Sequence, residues 1–251
     1  MTRPYAHRPD EEWTREDYPY QVDGIATVQE TIVRLGDSLH AGIINAGLDA
    51  VMEAVAEGWY LEEPVEVLHG YLADGAAFVR HALTLPIGAA PELHSLTRWT
   101  AVAAMAGDLD LAAQVGARVP PAPEVEQPGH TFHIMLAALA RGDDQGAMLW
   151  AKRLAEALAD PGTAPFTVRG FAHLGEIAVA VLGGDQGALE LAMQARNKVV
   201  VASYRRTIQG RRTWYALVDH YAAAPALLGV ARGLRLPDDV PSVPAGPFGR
   251  P

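Results

Sequence analysis

Two stretches of this chain share one hydrophobic pattern, and each follows a Gly-Asp pair. Apolar residues recur there at intervals of three and four: Ala147, Ala151, Leu154, Ala155 and Leu158 in the first stretch, and Ala188, Leu191, Ala192, Ala195 and Val199 in the second. Residues at this spacing lie along one stripe of an α-helix. Each stretch therefore predicts an amphipathic helix.

The Gly-Asp pairs are expected to separate consecutive helices. They stand at 107–108, 142–143 and 184–185, which are 35 and 42 residues apart. Glycine readily takes the left-handed conformation that ends a helix, and aspartate accepts hydrogen bonds from the free N–H groups that begin the next one. Spacings of this size are typical of stacked helical hairpins. Because they are unequal, the pattern predicts an irregular array of antiparallel helical hairpins that resembles a helical repeat.

The same periodicity continues along most of the chain, and the alternation typical of strands is hard to find. Helices are predicted at 23–35, 37–57, 64–83, 91–106, 108–117, 130–141, 144–159, 166–182, 186–208 and 212–234. The one β-rich patch, at 199–201, lies inside a helical pattern. We therefore predict an all-α fold. Pro225 interrupts the last helix and can serve as the first residue of a separate final one.

Proline content and polarity divide the chain into segments. Residues 1–20 are predicted to form an irregular, extended N-terminal arm, and residues 21–118 a first helical half. The sequence VPPAPEVEQPG at 119–129 is predicted to be a linker to a second helical half at 130–236. Residues 237–251 contain five prolines and are predicted to be an extended tail.

Charge is distributed unevenly between the two halves. The net charge is −10, with 20 acidic and 7 basic side chains in residues 1–126 and 10 acidic and 13 basic in residues 127–251. An acidic half disfavours nucleic acid, because phosphate contacts need lysine and arginine. It suits a basic protein partner, since complementary potentials speed the encounter. A simple contribution to solubility is the alternative.

Several functional classes lack their sequence signals. The chain has no cysteine, no G-x-S-x-G elbow, no phosphate-binding P-loop and no dinucleotide fingerprint. We therefore expect no catalysis and no cofactor. The N-terminus has no apolar segment, and no stretch approaches 18 uninterrupted apolar residues, so we expect a cytoplasmic protein without a membrane segment.

The histidines leave an alternative open. His130 and His133 are three residues apart on a predicted helix, and so are His173 and Glu176. Helical bundles build metal sites from such pairs, but they need further inward carboxylates, and none is obvious here. We expect ordinary histidines. The alternative is a metal- or small-ligand-binding protein or enzyme that uses these residues, with His220, around an inner pocket.

Two charged surfaces are candidates for a partner interface. The acidic one combines Trp13 with a run of glutamates, and the arm acids up to Asp17 could extend it; we select Trp13, Glu57, Glu62, Glu63 and Glu66. The alternative surface lies in an arginine-rich stretch from 196 to 212 and its aromatic neighbours; we select Arg205, Arg206 and Trp214. A solvated acidic face, or arginines that pair with the acidic half inside the fold, would explain both runs without a partner. Nucleic acid or another anion is a further alternative for the arginine-rich stretch.

The second half resembles a known family. The stretches FAHLGEIAVAVLGGDQGALELAMQA and WYALVDHYAAAPALLGVARGLRLPDDVPSVP are similar to the immunity protein 49 family of bacterial polymorphic-toxin systems, over about residues 165–245. The resemblance implies a non-catalytic protein that binds and occludes a cognate toxin domain. It transfers no site residue. The acidic charge adds the hypothesis that the toxin is basic, such as a nuclease. A helical-repeat adaptor that binds a peptide in its groove is a further alternative, and the oligomeric state stays open.

Overall fold

The chain folds as an all-α protein. The computed structural model describes residues 11–36, 39–85, 93–120, 127–207 and 218–248, and these ranges contain helices and turns but no strand. Eleven helices and a twelfth of one turn lie there: α1 Glu11–Leu35, α2 Ala41–Tyr60, α3 Val65–Thr84, α4 Leu93–Met105, α5 Leu109–Gly116, α6 Pro128–Ala140, α7 Asp144–Ala159, α8 Pro165–Phe171, α9 Leu174–Gly183, α10 Gln186–Thr207, α11 His220–Val230 and α12 Ala245–Phe248. The predicted fold class is confirmed at this level.

Helices that follow one another in sequence pack together. Such pairs are α1 with α2, α2 with α3, α4 with α5, α6 with α7, and α9 with α10. Helix α11 closes the array by packing on α4, α6 and α9. Most of the buried apolar side chains in the described ranges form one cluster, which extends from Ile25 to Phe248 and includes the buried rings of Phe78 and Phe132. Tertiary packing of apolar stripes, more than helix propensity, stabilises helices of this length.

The three Gly-Asp turns have the predicted geometry. Gly107, Gly142 and Gly184 have φ angles of 70°, 73° and 63°. The following aspartate donates its N–H to a carbonyl five residues back, at 2.9, 2.9 and 3.0 Å, which closes the helix in a Schellman motif. Its carboxylate then accepts from the N–H three residues on, at 3.0, 2.9 and 3.0 Å, and so caps the next helix. One dipeptide therefore ends a helix and begins its successor.

The prediction of an irregular arm at residues 1–20 is wrong for residues 11–20. They form the first ten residues of α1, which continues through Pro19. Thr14 and Tyr18 lie one turn apart on the inward face; Thr14 is buried and Tyr18 lies against Gly58 of α2. Contact with α2 and α3 offsets the backbone hydrogen bond that proline cannot make. Residues 1–10 lie outside the described part.

The prediction of an extended tail is also wrong within the described range. Residues 237–248 fold back on the array, where Val240, Val243 and Phe248 are buried. A Cβ at Gly246 would overlap the indole ring of Trp59, so only glycine fits this close approach. The prolines shape the path of this segment, and its apolar side chains hold it against the core.

Two predicted helices differ from those observed. The predicted helix 166–182 is broken into α8 and α9 at His173, whose φ of 64° is left-handed. By length and composition alone, Pro165–Gly183 is apolar enough to span a membrane. In the folded chain, 28% of its most apolar 18-residue window is buried. Pro225 does not begin a separate helix; it lies inside α11 and is buried.

The predicted linker is in part structured. Val119 is buried, and Pro128 is the first residue of α6. Residues 121–126 lie outside the described part, so the division into two helical halves stays a prediction.

Candidate functional site

A group of carboxyl groups lies where α1 packs on α2. Asp17 of α1 is close to Glu53 and Glu57 of α2, and the side chain of Glu57 is 2% exposed. Burial, together with the carboxyl groups of Asp17 and Glu53, raises the pKa of Glu57 to about 9. Burial and the carboxyl groups of Asp17 and Asp49 raise the pKa of Glu53 to about 7. Glu57 is therefore protonated at neutral pH, and Glu53 is partly protonated there.

The selection of Glu57 as an interface residue is wrong. The last turns of α2, from Ala54 to Tyr60, are buried throughout. Oε2 of Glu57 is buried and has no hydrogen-bond partner among the described residues. A side chain buried to this extent has no surface to offer a partner, and it lies beside Asp17 where α1 packs on α2.

Two tyrosines close the other side of this group. The hydroxyls of Tyr18 on α1 and Tyr71 on α3 lie 3.0 Å apart, and the rings meet edge to face. Burial and the Tyr71 hydroxyl raise the pKa of Tyr18, with smaller contributions from Glu63 and Glu57. The Tyr18 hydroxyl therefore stays protonated, and its hydrogen bond with Tyr71 joins α1 to α3.

The turn between α2 and α3 is acidic and contains an unusual backbone conformation. Glu62 has a φ of 64°, in the left-handed region. Its turn is a Schellman motif like those at the Gly-Asp pairs: Glu63 donates to the carbonyl of Gly58 at 2.9 Å, and Glu62 donates to that of Trp59 at 3.3 Å. A glutamate therefore occupies a position where the Gly-Asp turns have glycine.

The other selected residues of the acidic surface differ in exposure. Glu62 and Glu66 are exposed, Glu63 is half-buried, and Trp13 is half-buried on α1. Glu66 lies in the first turn of α3, where a negative charge is favourable. The solvent-facing part of the predicted acidic surface is therefore the α2–α3 turn, and we call Glu62, Glu63 and Glu66 the acidic turn.

The alternative surface is described only in part. The side chains of Arg205 and Arg206 and the whole of Trp214 lie outside the described residues. Arg196, from the same arginine-rich stretch, is buried and pairs with Asp219 at 2.7 Å. Its partner lies in the second half of the chain, so this arginine does not pair with the acidic first half.

The predicted histidines fall into two groups: His130, His133 and His220 lie near His94, whereas His173 lies with Glu176. His130 and His133 lie on α6 near His94 of α4, with the rings of His94 and His133 6.0 Å apart. His173 instead pairs with Glu176 at 2.9 Å, at the start of α9. Within the described ranges, no three His, Asp or Glu side chains are placed to hold a metal ion.

Two of the histidines are deeply buried. Burial lowers the pKa of His133 to about 3, with His94 and His130 adding to the shift. Burial also lowers the pKa of His220 to about 3, against the attraction of Asp219. Nδ1 of His133 has no hydrogen-bond partner in the described part of the protein. Both imidazoles are therefore neutral at physiological pH and pack as ring side chains.

An apolar groove of about 820 Å³ lies on the second half of the array. Helix α9 forms its floor, and α7 and α10 form its walls. Most lining residues are small, among them Ala151, Ala155, Ala188, Ala192 and Ala195. Lys152, His173, Glu176 and Asp185 supply its polar atoms.

Sequence reasoning did not find this groove. The lining alanines belong to the two apolar stripes that predicted amphipathic helices. Leu191, which belongs to the second stripe, is 70% exposed, and Val179 on the floor of the groove is 41% exposed. The periodicity predicted which side of α7 and α10 is apolar, but it could not predict how far apart the two helices lie.

Comparison with known proteins gives no relative. No family model matches the chain, and neither a curated protein nor a solved structure matches it. The class that fold and site define is an all-α protein with an acidic turn on its first half and an apolar groove on its second.

Proposed function

We propose that this protein is a non-catalytic, cytoplasmic immunity protein that binds and occludes a cognate toxin domain through the acidic turn. The observation that carries the proposal is Glu62, an exposed carboxylate at a left-handed backbone position. The acidic charge of the first half and the resemblance of the second half to an immunity family support it.

The backbone conformation of Glu62 has an energetic cost. A non-glycine residue in the left-handed region costs about 1–2 kcal/mol. Glycine would remove that cost, as it does at the Gly-Asp turns, but it would also remove the carboxylate. Strained residues of this kind cluster at binding sites, where the strain fixes the direction of a side chain. We infer that the carboxylate is kept for an interaction outside this chain.

The surroundings of Glu62 favour a basic partner. Glu66 is exposed in the first turn of α3, and Glu63 lies between the two in sequence. Residues 1–126 carry 13 more acidic than basic side chains. Such a field speeds encounter with a positively charged protein. We propose that the irregular array of antiparallel hairpins gives the turn a rigid setting, so that little order is lost on binding.

The proposal is tested by capture from the native host. The chain serves as bait at low and raised salt, and the association rate of any captured partner is measured. We expect a basic toxin-like protein whose association rate falls with salt. The double variant Glu62→Gln/Glu66→Gln should slow association several-fold. Glu156→Gln, an exposed change on α7, is the matched control and should leave the rate unchanged.

Two outcomes would contradict the proposal. A partner that binds the double variant and the wild type equally well would exclude the acidic turn as its contact. Capture of nucleic acid or of a small-molecule ligand in place of a protein would exclude the immunity function.

A further inference from the structure

The groove on α7, α9 and α10 is apolar and open. None of the described residues covers its floor, where Val179 is 41% exposed. At the edge of the groove, Leu191 is 70% exposed. The segment that contains α8 and α9 is apolar enough for a core, yet little of it is buried. Exposed apolar patches of this kind mark contact surfaces.

We propose that this groove is the contact of a symmetric homodimer, so that its occupant is a second copy of this chain. A two-fold contact requires one patch to be complementary to itself. The groove meets that requirement, because a large exposed side chain, Leu191, lies beside a depression lined by Ala151, Ala155 and Ala195. Each copy places its Leu191 into the depression of the other.

The charge distribution favours a second copy. The groove lies in the half of the chain that has 10 acidic and 13 basic side chains, whereas residues 1–126, with 20 acidic and 7 basic side chains, are strongly negative. Two molecules of net charge −10 repel each other least when they meet through this half. The edge of the groove carries both signs, with Lys152 exposed on α7 and Glu176 exposed on α9, so a two-fold contact can pair opposite charges.

The same charges disfavour a lipid surface. Membrane-binding faces combine apolar residues with several lysines or arginines. Among the described residues that line the groove, Lys152 is the one permanent cation, and Glu176 and Asp185 oppose it. A membrane is therefore an outcome for the test to detect and not the proposed occupant.

The experiment is sedimentation of the purified full-length protein up to a concentration of about 100 µM, which detects a dissociation constant at or below that value. We expect a dimer. Leu191→Glu and Val179→Glu should each raise the dissociation constant at least about tenfold, since a buried unpaired charge opposes association. Val33→Glu is the matched control: Val33 is 86% exposed on α1, away from the groove, and its change should leave the dimer intact. Circular dichroism of each variant checks that it is folded.

A covalent test uses the absence of cysteine from the chain. Leu191→Cys introduces the only thiol, and a short bis-maleimide should join two copies at this position, whereas Val33→Cys should give no cross-linked dimer. A wild type that is monomeric at about 100 µM, or a dimer that Leu191→Glu leaves unchanged, would overturn the proposal. Binding of the monomer to phosphatidylcholine–phosphatidylserine vesicles would assign the groove to a membrane.

The dimer and the acidic turn are tested separately. Glu62→Gln/Glu66→Gln should leave sedimentation unchanged, and Leu191→Glu should leave the acidic turn intact. The two sets of variants therefore distinguish a failure of the homodimer proposal from a failure of partner binding through the acidic turn.

Discussion

Arg196 and Asp219 form a buried ion pair between α10 and the start of α11. Nε of Arg196 donates to Oδ2 of Asp219 at 2.7 Å, and the two side chains are 6% and 5% exposed. The guanidinium also donates to the carbonyl of Arg169 at 2.9 Å, at the end of α8. One arginine therefore ties three helices together, and Asp219 caps one of them through Ala222.

Removal of either charge of this pair should be strongly destabilising. Arg196→Met leaves Asp219 buried without its partner, which costs about 3–5 kcal/mol. We expect a loss of that size in the free energy of unfolding, measured by urea denaturation. Lys198→Met, two residues further along α10 at an exposed position, is the control and should change it by less than about 0.5 kcal/mol. An equal loss in the free energy of unfolding for Arg196→Met and Lys198→Met would show that the buried ion pair does not stabilise the fold more than an exposed lysine does.

Glu62→Gly should stabilise the protein. Glycine removes the cost of a left-handed glutamate, although it adds freedom to the unfolded chain, so the expected gain is about 0.5–1 kcal/mol. Thermal unfolding measures it. Glu66→Gly removes the same charge from a helical position and should instead destabilise by about 0.5–1 kcal/mol. If Glu62→Gly lowers the melting temperature, the carboxylate contributes to folding, and the argument for a binding role fails.

Glu57 should make the protein less stable as the pH rises. The pKa of its carboxyl is raised from 4.5 to about 9 in the folded protein. Between pH 4.5 and about 9, the Glu57 carboxyl therefore binds a proton more readily in the folded chain than in the unfolded chain. The free energy of unfolding falls as the pH rises through this range. Glu57→Gln should be at least about 1 kcal/mol more stable than the wild type near pH 8, with a smaller difference near pH 5. Urea denaturation at both pH values measures the two differences.

The control for this prediction is Glu66→Gln, which removes an exposed charge from the neighbouring helix. A difference between Glu57→Gln and the wild type that is the same at both pH values would contradict the raised pKa of Glu57.

The buried histidines should destabilise the protein in acid. Burial lowers the pKa of His133 from 6.5 to about 3, so the unfolded chain gains this proton first as the pH falls. Stability is therefore fully present above about 6.5 and is lost between that value and about 3. His133→Phe keeps a ring at this position, and its free energy of unfolding should fall less steeply between about pH 6.5 and pH 4. His69→Phe, at a half-buried position on α3, is the control; equal acid slopes for His133→Phe and the wild type would contradict the prediction.

Local sequence predicted the helices and their ends well. The Gly-Asp turns are decided by one glycine φ angle and one capping carboxylate, so neighbouring residues contain all the information that these turns need. Local sequence did not predict the conformation of segments whose structure depends on contacts with distant helices. Residues 11–20 are polar and contain a proline, and they are helical because α2 and α3 give Thr14 and Tyr18 a surface to pack on.

By itself, the sequence determined the all-α class, most helix positions and the uneven charge of the two halves, because periodicity, capping and residue counts are local or additive. Tertiary structure alone decided that Glu57 is buried while Glu62 is exposed, although both belong to one acidic run. It also decided that the stripes on α7 and α10 border an open groove. Burial depends on which helices meet and how far apart they lie, and that is a property of the packed chain as a whole.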